Sequence, residues 1–251
     1  MRGIRGLLLD VDGTLLVNDE PVPGAGDFIA ELRRRGLAFR VTTNTTRRPR
    51  RETAEVLQRG GIEVRPGEIL GPAALARRRI IESGSLRAGL LVPPSAREDL
   101  SGVIEDEAKP DWVVVGDIGA GFTFQRLNQA FRWLLGGAKL LALHRNRCWL
   151  AGPEGLVLDA GAFVAALEYG ADVTAEVVGK PAPAFFELAL ADLGIPAAET
   201  LVVGDDPETD GAGRAAGCRV ALVRTGKFAG TDDDARQAGA EIVADSVAQL
   251  L

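Results

Sequence analysis

The chain has 251 residues, 46% hydrophobic and 25% charged, with 29 Lys+Arg against 35 Asp+Glu and a formal net charge of -6. A composition this close to the globular average can bury a core and excludes disordered, collagen-like and coiled-coil chains, while the length allows one large domain or two. The acidic balance argues against nucleic acid as a partner, and no apolar run approaches the roughly 18 residues of a membrane helix.

The opening stretch Met1–Asp10 holds only a three-leucine run, short of the roughly 7–15 apolar residues of a signal peptide. A cytoplasmic protein with no membrane partner is therefore expected. Cys148 and Cys218 stand far apart and match no metal-ligand spacing, which suits inert thiols in a reducing compartment. Only Lys109, Lys139, Lys180 and Lys227 are lysines among the 29 basic residues, so a lysine in a polar strand-end loop draws attention.

In chain order, short apolar runs predict strands at Gly6–Leu9, Ala38–Thr42, Leu90–Val92, Trp112–Val115, Lys139–Leu143, Thr200–Val203 and Arg219–Val223. Between them, helical spacing predicts Gly24–Arg35, Pro49–Arg59, Ala73–Glu82, Phe124–Leu135, Gly161–Tyr169, Pro183–Leu193 and Glu208–Ala216. Gly36, Gly60, Gly170, Gly194 and Gly217 follow as helix stops. Such alternation reads as an α/β fold with a parallel sheet covered on both faces. Ligands in such sheets bind beyond the carboxyl ends of the strands.

Four strand ends carry chemistry. After Leu7-Leu8-Leu9 come Asp10-Val11-Asp12-Gly13-Thr14, which fit either a hairpin turn at Asp-Gly or two carboxylates placed for nucleophilic attack and proton transfer. Thr43-Asn44 follow an apolar strand and fit either a helix N-cap or an anion cradle of hydroxyl and backbone N–H groups. Lys180 sits in Gly179-Lys180-Pro181-Ala182-Pro183 and fits either a surface-loop lysine or, in a segment the following prolines stiffen, an ammonium held to face phosphate. Asp205, Asp206, Glu208 and Asp210 crowd the end of Leu201-Val202-Val203-Gly204. Part of that charge suits a helix N-terminus, and the crowding suits a divalent cation. Together they supply the parts of metal-assisted phosphoryl transfer.

These four motifs resemble those of the haloacid dehalogenase-like phosphatase superfamily. The long insertion between Thr43 and Lys180, with the strings Val178-Gly179-Lys180-Pro181 and Val223-Arg224-Thr225-Gly226-Lys227-Phe228, resembles its para-nitrophenyl-phosphatase-like branch. That resemblance implies a Rossmann-like core at residues 1–74 and 175–251, and an inserted α/β cap at 75–174 above the active site. It also implies Asp10 as nucleophile, Asp12 as acid and base, and Thr43, Asn44 and Lys180 as phosphate-binding residues. Mg2+ is implied at Asp10, the Asp12 carbonyl and Asp205, with Asp206 and Asp210 either reaching the metal through water or orienting Lys180. The resemblance also leaves a homodimer open, since relatives commonly pair through the cap.

For selectivity toward a small phosphorylated substrate, His144, Arg145, Asn146, Arg147 and Trp149 are candidates in the insertion, with a solvent-facing or packed His144 as the plain alternative. The basic run Arg47-Arg48-Pro49-Arg50-Arg51 reads as a solvated helix face or as the partner of a second anionic group. The turn Thr225-Gly226-Lys227 can border the site. The stripe Phe124, Leu127, Phe131 and Leu134 reads as core of the insertion or a subunit contact. An aspartate-phosphorylated signalling receiver and a non-catalytic phosphate-binding protein stay open as alternatives. Receivers, however, carry their aspartate on a middle strand and have about half this length.

Overall fold

The computed structural model describes residues 3–46, 48–150 and 156–250, with backbone alone at Trp149, Leu150 and Leu156. The chain is an α/β protein that divides into two compact units. Residues 1–43, 50–70 and 180–251 make the first, and 44–49 with 71–179 the second.

The first unit is built on a six-stranded, all-parallel sheet. Its spatial order is Ile242–Ala244, Arg219–Val223, Thr200–Gly204, Gly6–Asp10, Ala38–Thr42 and Ile69–Leu70. The first strand in sequence is thus central, paired with Thr200–Gly204 on one side and Ala38–Thr42 on the other. In-register pairs such as Leu8 with Val202 and Arg40 set the strand ends level. Asp10, Thr43 and Asp205 therefore come off neighbouring carboxyl ends, where the chain reverses direction across the sheet.

Both faces of this sheet are buried, which explains why its central strands are apolar without alternation. Leu7, Leu9, Val41, Leu201, Val203, Ala221 and Val223 pack with Phe28, Ile29 and Leu32 of the helix Ala25–Arg34 and with Ala54 and Leu57 of Arg50–Arg59. Leu8 and Val202 belong to the opposite face, where Gly213 lies so close to Val202 and Phe186 that a Cβ would crowd both. Phe186 stands on the helix Pro183–Leu193, which opens on a proline that lacks only an N–H the first turn does not use. Gly194, at φ 71°, closes that helix with its N–H on the Leu190 carbonyl.

The second unit has its own five-stranded parallel sheet, ordered Glu176–Val177, Lys139–Ala142, Trp112–Val115, Arg87–Leu91 and Ile104–Glu105. Its core joins Leu91, Val113, Val115 and Ala142 to Ala130, Trp133 and Leu134 of Phe124–Leu135 and to Val164 and Leu167 of Ala160–Ala171. In the apolar stripe singled out from sequence, Leu134 is core, Leu127 and Phe131 are partly buried against it, and Phe124 is exposed.

Several sequence expectations are corrected. The segment 208–216 does not form one α-helix. Asp206 Oδ1 accepts the N–H groups of Glu208 and Thr209, a local turn that competes with helix, and only Gly211–Ala216 winds, as a 3-10 helix. Gly170 does not stop its helix, which runs to Ala171 with Asp172 taking the left-handed conformation at φ 53°. The hairpin turn falls at Asn18-Asp19, both at positive φ, between the short strands Leu16–Val17 and Glu20–Pro21, as two-residue turns of this hand require. Asp12-Gly13 instead belongs to a loop whose N–H groups at Thr14, Leu15 and Leu16 converge on the Val11 carbonyl.

The central strand carries the first unit, so shortening one of its side chains measures that dependence. Leu7→Ala, at a fully buried position, is expected to cost about 2–5 kcal/mol, read from the urea midpoint of the first unit's unfolding.

Candidate active site

The strand Gly6–Asp10 is buried from end to end and delivers Asp10 at its carboxyl terminus. One oxygen of that carboxylate, Oδ1, accepts a hydrogen bond from Lys180 Nζ at 2.6 Å. The same ammonium donates to Asp210 Oδ1 at 2.5 Å. Asp205 leaves the adjacent strand Thr200–Gly204, and carboxylate oxygens of Asp10, Asp205 and Asp210 all lie within 4.8 Å of one another. All three carboxylates and Lys180 are buried.

Missing side chains make this crowding possible. A Cβ on Gly204 would overlap the Asp210 side chain, and a Cβ on Gly13 or Gly226 would overlap Asp205. Gly13 also holds φ 88°, a conformation glycine adopts without steric cost.

Three buried carboxylates face one ammonium. Burial pushes the Asp10 carboxyl well above the usual carboxylate range, the Lys180 ammonium pulls against it, and the Asp210 and Asp12 carboxylates add to the rise. Asp205 is likewise raised, chiefly by burial. For Lys180, burial favours the neutral amine, but Asp10 and Asp210 outweigh it and hold the ammonium above its ordinary value. The cluster is thus short of positive charge, and its donors are hard carboxylate oxygens. Both properties suit a divalent cation such as Mg2+, and the residues present fit that ion.

The remaining sequence candidates separate clearly. Asp12 is exposed, and Thr43, itself buried, directs its hydroxyl toward Asp12 Oδ2 at 3.5 Å. Asp206, whose neighbour Asp205 turns inward, pairs with Lys227 Nζ at 2.7 Å. Burial alone would raise the Asp206 carboxyl, and Lys227 brings it below the ordinary value. Asp210, rather than Asp206, joins the buried cluster. Its second oxygen accepts the Asp206 N–H at 3.2 Å.

Asn44 falls in the second unit, where its Oδ1 would lie 3.0 Å from a Cβ on Gly179. His144 is buried there with Nε2 3.8 Å from Asp159 Oδ1, and Asp159 also caps the helix Ala160–Ala171. Arg145 is exposed and pairs with Glu168 at 2.7 Å, while the Asn146 carbonyl accepts the Gly161 N–H. Arg147 likewise holds this loop to the helix start, its carbonyl accepting the Asp159 N–H. Arg51 forms an ion pair with Glu55 along its own helix, and Arg47 and the Trp149 side chain lie outside the described residues.

One side chain given no role of its own from sequence stands out. Thr14 is fully buried, and its hydroxyl has no hydrogen-bond partner among the described residues. Its only sequence signal was membership of the Asp-Gly-Thr string.

Comparison with known proteins shows the family. Residues 7–103 match the family model described as haloacid dehalogenase-like hydrolase, and residues 177–250 match a second, HAD-hydrolase-like model. A phospholysine phosphohistidine inorganic pyrophosphate phosphatase from Rattus norvegicus is 36% identical over 258 aligned residues, covering 100% of this chain and 94% of that one. The chain belongs to the haloacid dehalogenase-like hydrolase family. The haloacid dehalogenase-like hydrolase domain-containing protein 2 of Bos taurus is 39% identical, covering 93% of this chain and 89% of its own. Among solved structures, the 4-nitrophenylphosphatase of Thermotoga maritima superimposes with a TM-score of 0.87 at 27% identity, covering 99% of this chain and 96% of that one. The protein thus stands among the phosphatases of its family, as the strings around Lys180 and Asp205 already suggested.

The charge imbalance has measurable consequences. Asp205→Asn removes a buried charge and is expected to raise the melting temperature in EDTA by about 2–4 °C. With Mg2+ the order reverses and wild type becomes the more stable. A lower melting temperature for the variant in EDTA would overturn the electrostatic account. Lys180→Met leaves Asp10 and Asp210 without their counter-charge and is expected to cost about 3–5 kcal/mol in urea denaturation.

Proposed function

We propose that the protein is an Mg2+-dependent phosphatase that hydrolyses a small phosphorylated molecule through an aspartyl-phosphate at Asp10. Phosphomonoesters, pyrophosphate and phospho-amino acids are the substrate classes. The convergence of buried Asp10, Asp205 and Asp210 around Lys180 is the observation that carries this reading. The names of the relatives agree with it.

In the proposed mechanism an Asp10 oxygen attacks phosphorus, and the bond from phosphorus to the leaving oxygen breaks. Asp12, exposed beside the strand end, protonates that oxygen, then takes a proton from the water that cleaves the acyl phosphate and restores the Asp10 carboxylate. Asp10, Asp205 and the Asp12 carbonyl would hold Mg2+, which would supply the charge that lets a carboxylate approach a phosphate dianion. Lys180 adds a second positive charge on the phosphoryl oxygens. Asp210 keeps the Lys180 ammonium charged and aimed, and Thr43 offers its hydroxyl to the phosphoryl group. Asp206 supports its neighbour Asp205 through the turn it closes.

On this reading residues 1–74 and 175–251 form the catalytic core, and 75–174 a cap domain of separate fold. Two free thiols, Cys148 and Cys218, suit the reducing cytoplasm. No helix among the described residues is long and apolar enough to cross a membrane.

Hydrolysis of para-nitrophenyl phosphate should require Mg2+, stop in EDTA, and fall on the order of 10³-fold or more in Asp10→Asn. Normal turnover by a folded Asp10→Asn protein would remove Asp10 from the mechanism, and a stable aspartyl-phosphate without turnover would favour a signalling receiver. A panel of phosphometabolites, pyrophosphate and phospho-amino acids then identifies the substrate.

A further inference from the structure

The turn Thr225-Gly226-Lys227 follows the strand Arg219–Val223, which lies beside the strand leading to Asp205. Each of its residues holds a different part of the site. The Thr225 hydroxyl donates to the Gly13 carbonyl at 2.5 Å. The Lys227 backbone N–H donates to Asp205 Oδ2 at 2.6 Å. The Lys227 ammonium reaches Asp206 Oδ2 at 2.7 Å.

Gly226 lies between these anchors with no room to spare. A Cβ there would overlap Asp205 Oδ2 and stand 2.7 Å from Gly13 Cα. The Asp205 carboxylate is therefore wedged between two glycine backbones, one from the loop after the first strand and one from this turn. A carboxylate confined by packing still has its terminal rotation, and a hydrogen bond from a fixed N–H removes that freedom. The Lys227 N–H is fixed only as far as the turn is, and the Thr225 hydroxyl pins the turn to the Gly13 loop. The Lys227 side chain is 73% exposed, so its ion pair contributes little by comparison.

We infer that Thr225-Gly226-Lys227 is a positioning clamp for Asp205, closed by the Thr225 hydroxyl on the Gly13 carbonyl. The assignment rests on the reading of Asp205 as an Mg2+ ligand. From sequence this turn only borders the site, with Lys227 one of four lysines in the chain. Here the backbone N–H of that lysine faces the acidic cluster, and the side chain braces the neighbouring aspartate. The clamp acts through Asp205, and its residues are positioning residues. Loss of such an outer partner commonly costs about 10–100-fold in metal affinity.

The test uses the full-length protein with two readouts. Mg2+ affinity is measured by calorimetry, and amide hydrogen exchange at Lys227 is followed in EDTA, with the amide of Val203 in the buried strand as internal reference. Thr225→Val should weaken Mg2+ binding about tenfold. It should also speed exchange at Lys227 by a similar factor, with Val203 unchanged. Thr225→Ser should restore both. Lys227→Met, which keeps the N–H, should weaken Mg2+ binding less than Thr225→Val does. Wild-type affinity and wild-type Lys227 exchange in Thr225→Val would overturn the clamp, as would failure of Thr225→Ser to restore them. Absence of Mg2+ binding by the wild-type protein would instead overturn the metal reading, and the exchange measurement, which needs no metal, would still decide the clamp.

Discussion

Three buried carboxylates and one buried ammonium meet at the carboxyl edge of the first unit's sheet, and the packing around them is arranged around the cost of that imbalance. A buried carboxylate without compensation is expensive. Lys180 serves two of the three at once, with Asp10 and Asp210 at 2.6 and 2.5 Å. Asp205 takes a backbone N–H from Lys227. These contacts leave the cluster negative, a standing attraction for a divalent cation. Glycines at 13, 204 and 226 let the backbone come so close to Asp205 and Asp210 that any Cβ there would overlap their side chains.

The parallel sheet is what brings such groups together. Its strands point the same way, so each contributes its following loop to one edge, and in-register pairing levels those loops to within a residue or two. Asp10 and Asp205 are neighbours because the strands that carry them are hydrogen-bonded partners. The turn holding Asp205 comes from the next strand outward. Lys180 stands where the chain re-enters the first unit. Burial of both sheet faces excludes water from the strands that carry these loops, and a site that relies on oriented charge needs such a support.

The major strands were legible because a doubly covered parallel strand must be apolar throughout, and runs such as Leu7-Leu8-Leu9 and Leu201-Val202-Val203 have few other uses. Helices with a proline start or a glycine stop, such as Pro183–Leu193, were equally plain. Two-residue strands such as Ile69–Leu70 and Glu176–Val177 carried no readable pattern, since they are defined by their neighbours. The segment after Asp206 misled because its residues suit a helix start, while the Asp206 side chain captures the N–H groups of Glu208 and Thr209 first. His144 carries the same lesson, for a lone histidine in a polar string reads equally as substrate contact, solvent-facing or packed, and only the structure buries it beside Asp159.

By itself the sequence determined the fold class and the chemical types at the strand ends: paired aspartates, a threonine, a rare lysine and an acidic run. Residue type and apolar patterning are local properties, and they survive being read one segment at a time. Only the tertiary structure decided how the acidic run divides, with Asp205 and Asp210 turned inward and Asp206 paired with Lys227. It also set the Lys227 N–H of the turn Thr225-Gly226-Lys227, which sequence placed only at the border of the site, on the Asp205 carboxylate. Spacing along the chain cannot separate Asp205 from Asp206, because a single backbone turn sends adjacent side chains in opposite directions. That turn is set by hydrogen bonds to residues far away in sequence.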